Sequence, residues 1–101
     1  MLRGVDTVIW FSGATANGTG DTWQPRGREL FTVFIKAASV TVGATITIQA
    51  QTPAGDWTEV DVTNVTANGD TTIQFFGPFS KLRAVISSRT DGTYTVSAEA
   101  V

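Results

Sequence analysis

From Thr93 to Ala100 the side chains alternate without a break, with Tyr94, Val96, Ala98 and Ala100 on one side and Thr93, Thr95, Ser97 and Glu99 on the other. A period of two belongs to an extended strand with one face over a core. Ala44 to Gln51 follows the same rule, with Ala44, Ile46, Ile48 and Ala50 inward and Thr45, Thr47, Gln49 and Gln51 outward. So does Leu82 to Ser87, where Leu82, Ala84 and Ile86 oppose Arg83, Val85 and Ser87. No stretch carries a long 3.6-residue stripe. The 101 residues include 17 Thr, 11 Val and 6 Ile but only 3 Leu, so about a third of the chain is β-branched. Such side chains are stiff about χ1 and fit pleated, half-buried strands better than helices. The chain is all-β.

Further strands are expected at Val5–Phe11, Asp21–Pro25, Glu29–Lys36, Trp57–Val62 and Asp70–Phe76. In the first, Val5, Thr7, Ile9 and Phe11 share one face and Asp6, Val8 and Trp10 the other. Bulk on both faces predicts burial on two sides or pairing with a neighbouring chain. Near-continuous apolarity makes Glu29–Lys36 a central strand. Ser12–Gly20 is a small-residue loop, either flexible or clamped by a partner. Thr52-Pro53-Ala54-Gly55-Asp56 closes one hairpin, and Arg89-Thr90-Asp91-Gly92 is expected to close another between Leu82–Ser87 and Thr93–Ala100. Gly77-Pro78 breaks the ladder at a corner, and Phe79 folds back over the core edge. About eight strands with hairpin-length connections predict an antiparallel β-sandwich or jelly-roll-like barrel, a single domain over residues 1–101.

Charged residues make up 16% of the chain, the formal net charge is −2 and the pI is about 4.8. Nothing in that balance attracts a phosphate backbone, so no nucleic acid is expected as partner. No segment approaches the roughly 20 apolar residues of a membrane-spanning helix, and no signal-peptide pattern precedes the first strand. A surface so poor in charge keeps free monomers apart weakly. Two readings of it stand side by side: coverage by other subunits, or a Thr-rich extracellular surface.

With no His and no Cys, nucleophile–base triads built on those residues and His- or Cys-ligated metal sites are excluded. Glu29, Glu59 and Glu99 are the carboxylates from which a glycosidase pair would have to come, and a chain this small shapes no deep cleft around them. The Asp residues fall largely at turns, where they cap backbone. No enzyme, cofactor or metal is expected. Partner contacts are expected instead from Val8, Trp10 and Phe11 with the loop that follows, so that residues 1–20 serve as a partner-contacting strand and arm. Trp23 is the expected interface anchor, since aromatic side chains dominate interface energetics. Arg26 and Arg28 form a basic turn beside it, for which a solvated loop is the ordinary alternative. Trp10, Trp23 and Trp57 on one exposed face would instead form a sugar-stacking platform; burial is the commoner fate of each.

Several phrases resemble small virion structural proteins of tailed bacteriophages. They are Gly20-Asp21-Thr22-Trp23-Gln24-Pro25 before Phe31-Thr32-Val33, then Ala44-Thr45-Ile46-Thr47-Ile48-Gln49. Gly55-Asp56-Trp57 follows, then Gly77-Pro78-Phe79 leading into Leu82-Arg83-Ala84-Val85, and the Gly92-Thr93-Tyr94-Thr95-Val96 strand closes the set. The resemblance spans about residues 20 to 100. It implies a non-enzymatic β-sandwich of the virion, a capsid decoration or cement protein forming homo-oligomers, commonly trimers, on the major capsid protein or other virion proteins. It places the chain on the capsid surface or the tail. The alternative from another class is a tail- or fibre-associated carbohydrate-binding module for host adhesion, with a glycan as ligand.

Overall fold

The computed structural model describes residues 5–101. Eight strands follow in chain order: β1 Asp6–Ala14, β2 Gly18–Thr19, β3 Leu30–Ala38, β4 Ala44–Gln51, β5 Trp57–Val65, β6 Gly69–Phe76, β7 Leu82–Ser87 and β8 Thr93–Ala100. They form two four-stranded antiparallel sheets, β1-β8-β3-β6 and β2-β7-β4-β5. Only the β4–β5 connection stays within one sheet; every other connection crosses between the two. The pairs β1·β8, β2·β7, β3·β6 and β4·β5 are those of one long hairpin with its apex at 52–56, rolled so that alternate strands fall in alternate sheets. That is a jelly roll. The expected sandwich class is correct.

The expected hairpin at Arg89–Gly92 is not formed. β7 lies beside β2 and β4, and β8 beside β1 and β3. The reason lies in the connection 88–92, which arches from one sheet to the other. Ser88 and Gly92 both take positive φ, 52° and 95°. Across the arch, the Asp91 carboxylate accepts from the N–H groups of Thr41, Val42 and Gly43 at 3.0–3.2 Å. The Tyr94 hydroxyl donates to Asp91 O at 2.8 Å, and a Cβ on Gly92 would lie 2.6 Å from that hydroxyl oxygen. An Asp-Gly pair signals a hairpin only when its side chain is free to leave the turn to the backbone. Here it is committed to another loop.

Similar bonds join all four connections at this pole. Arg89 N donates to Asn17 Oδ1 (2.9 Å), Val40 N to Asn68 Oδ1 (2.7 Å) and Thr90 N to Gly43 O (2.9 Å).

The expected inward faces are the observed core. Phe31, Val33 and Ile35 of β3, Tyr94, Val96 and Ala98 of β8, Ile46 and Ile48 of β4, and Leu82, Ala84 and Ile86 of β7 are all at most 3% exposed. β3 is central in its sheet, as its apolarity predicts, but its outer face is solvent-facing, with Phe34 41% exposed. β1 is an edge strand, and its faces depart from strict alternation. Ile9 opposes Ser97 and Phe11 opposes the next residue back, Val96, so Trp10 is the extra residue of a bulge. The bulge parts Phe11 from Ile9, with which it was expected to share a face, and turns it to the core side. The 12–20 stretch is no free loop either: β2 pairs with β7, Gly20 N donates to Ala84 O, and Trp23 bridges Leu82 in both directions. That single bridge is all the pairing Asp21–Pro25 makes.

Two outcomes follow. Partial burial pushes the Asp91 carboxyl up, but the three loop amides and the Arg89 guanidinium outweigh it and hold the group below its ordinary value. A depressed folded pKa contributes stability that is present above the unfolded value of about 3.9 and lost as pH falls through the folded one. Asp91→Asn, which sets an amide against backbone N–H groups, should lower the urea midpoint at pH 7, and the gap to wild type should narrow below about pH 4. Trp10→Ala should cost about 3–5 kcal/mol in the same assay, because the ring is 7% exposed and packs edge-on against Trp23 at 5.8 Å.

Candidate interaction surface

The residues expected at a partner interface do not converge on one surface. Trp10, expected as a partner contact, and Trp23, expected as the interface anchor, are core residues instead, 7% and 9% exposed. The physical cause is an aromatic chain at the edge of the sandwich. Trp10 packs edge-on against Trp23, Trp23 against Phe31 at 6.0 Å, and Phe31 stacks on Phe75 at 5.4 Å, with Phe79 edge-on to both. Phe79 thus covers the core edge as expected. Gly20 is part of this arrangement, since a Cβ there would approach Trp10 Cβ to 2.9 Å. Val8 and Phe11 are half-buried against the same core.

Arg28 reaches back to β1, its Nε donating to Asp6 Oδ2 at 3.0 Å, and so ties the 20–29 connection to the first strand. Arg26 is exposed beside a shallow groove shared with Pro25, Pro78, Phe79 and Lys81. Of the expected set, Arg26 alone is exposed.

The tryptophans do not share an exposed face. Two are in the core, and the third, Trp57, carries the Arg83 guanidinium 4.0 Å above its ring. Arg83 is held there by Gln49, whose Oε1 accepts from Nε at 2.8 Å. Cation–π contact and hydrogen bond together occupy one face of that ring.

The largest exposed apolar side chains gather elsewhere, on the outer face of β1-β8-β3-β6. Cross-strand register sets them in rows. Ile9, Ser97, Phe34 and Thr72 lie side by side across all four strands. Two residues along, Thr7, Glu99, Thr32 and Gln74 form a polar row, within which Gln74 Nε2 donates to Thr32 Oγ1 at 3.3 Å. Beyond it, Val101 exchanges backbone bonds with Leu30, which opposes Phe76. Ile9 is 69%, Phe76 75%, Val101 43% and Phe34 41% exposed. Single exposed apolar residues are ordinary; here four stand on one face of one sheet, in two rows divided by the polar one. The sequence does carry a trace of it: β1 and β3 are apolar on both sides, and one sheet can bury only one of them.

No protein-family model matches the chain, and no curated protein matches its sequence. Its fold has counterparts among solved structures. The SPBc2 prophage-derived protein YomS superposes with a TM-score of 0.73 at 15% identity, over 99% of this chain and 96% of that one. A chain of the Bacillus endospore appendages that form disulfide-linked pili gives 0.51 at 11% identity, over 96% and 83%. A chain of infectious bursal disease virus Gx strain gives 0.53 at 14% identity, this protein spanning 31% of its length. At such identities the likeness is one of fold, and the proteins that share it include prophage and viral ones.

Proposed function

We propose that this chain is a non-enzymatic virion structural protein, a decoration or cement protein that stabilises a phage head through contacts between subunits. The observation that carries this reading is the outer face of β1-β8-β3-β6, where Ile9, Leu30, Phe34, Phe76 and Val101 lie among Thr, Ser and Gln, with Glu99 and the Lys36–Asp70 pair as its charges. Fully burying one such side chain is worth about 1.5–3 kcal/mol, and the ordering that association requires offsets part of it. A weakly charged shell surface meeting this face loses little to desolvation. Its occupants would be the major capsid protein or another virion protein, alongside further copies of this chain. Because only the assembled shell offers the site, each bound copy shifts the shell towards its closed form by linkage. Support also comes from the fold shared with a prophage-derived protein and a viral one.

The alternative, a glycan-binding module on a tail or fibre, needs an exposed aromatic platform that the three tryptophans do not build.

An antibody against this chain, applied to particles induced from the cell that encodes it, should label heads in electron micrographs. Label confined to tails, or particles without label, would overturn the capsid reading. Ile9→Lys with Phe34→Lys should cut the copies retained per particle at least tenfold, with the urea midpoint unchanged because both side chains face solvent.

A further inference from the structure

We infer that the free edge of β6 pairs antiparallel with β6 of a second copy, joining two β1-β8-β3-β6 sheets across a two-fold axis centred on Ile73. Among the described residues β6 pairs with β3 alone, over eight consecutive positions without a register shift. Its other side is an open edge.

The direction of its backbone groups follows from two observations. Leu30 exchanges both bonds with Val101 on the β8 side, and Gly77 N donates to Glu29 O at 2.7 Å on the β6 side. Residues of an antiparallel pair alternate between bonded and unbonded positions. Phe75, Ile73 and Thr71 therefore bond to β3, while Phe76, Gln74, Thr72 and Asp70 point their N–H and C=O groups outwards.

The other three edges are blunted against such pairing, as natural sheet edges are. β1 has two register irregularities. β2 is two residues long. β5 has a bulge opposite Ile48/Gln49 and carries Glu59 and Asp61. β6 carries no Lys, no Pro and no bulge, and its one charge, Asp70, stands near its start.

Charge and register together select the occupant. With Ile73 opposite Ile73, Thr72 meets Gln74 of the second copy and Asp70 meets Phe76. Every outward-pointing backbone group then finds a partner, and no like charges face each other. A net charge of −2 per chain opposes the approach weakly. A two-fold pair of this kind is isologous and closes on itself, in place of the trimer that the phage resemblance implies. It rests on β6 alone, so its failure would leave the virion reading untouched.

The purified chain should scatter light as about twice 10.7 kDa. Thr72→Pro removes an N–H that serves only the second copy, at an edge where Pro is tolerated. It should weaken the pair at least tenfold while circular dichroism stays that of the wild type. The chain has no cysteine, so Thr72→Cys and Gln74→Cys report the register cleanly. Oxidised as a mixture they should cross-link, and each alone should not, since like positions lie on the longer diagonal. A monomer at all concentrations, a trimer, association indifferent to Thr72→Pro, or cross-linking of either variant alone would overturn the pairing.

Discussion

Everything in this molecule depends on two apolar sheet faces meeting about 10 Å apart, with no helix among the described residues to brace them. The chain has no cysteine, and six of its seven connections must pass between the sheets, since only β4–β5 remains within one. Closing such a chain is slow work, because nearly all its contacts are long-range and their loop entropy must be met before they form. The inner faces of β3, β4, β7 and β8 answer with apolar side chains in strict alternation. The aromatic chain from Trp10 to Phe79 then seals the edge where β1, the 20–29 connection and the 77–81 corner meet.

Much of this was legible in the residues. Alternation in β4, β7 and β8 marks the buried set directly, because period two has one structural meaning. Strand partnership was not legible. The turn at Asp91-Gly92 has hairpin chemistry, yet it crosses between sheets because Asp91 finds three amides in a loop some 50 residues away. No local pattern encodes a partner so distant. The same limit hid the side that Phe11 faces. A bulge shifts its neighbours by one position, and a one-residue shift exchanges faces.

The exposed apolar face on which the proposed function rests was legible in half. Apolar residues on both sides of β1 and β3 point to a second contact, but which side meets it depends on the sheet the strand joins. Large aromatics drew attention as anchors, and the core claimed them first. What remains for partners is smaller and more regular: a flat face with Ile9, Phe34 and Phe76, and an edge strand without protection. One is apolar and non-directional, the other is made of backbone hydrogen bonds and fixes register. A protein that uses both gains area from the first and orientation from the second.

The pairing of Asp6 with Ala100 has a different consequence. It brings the two directions of the chain out at the same pole, beside the start of β3 and the end of β6, while the opposite pole is laced shut by Asn17, Asn68 and Asp91. Anything joined before or after the sandwich therefore leaves from one side. The sandwich is polar in that sense: one pole holds both ends of the described chain, and the other holds the side-chain lacing between its loops.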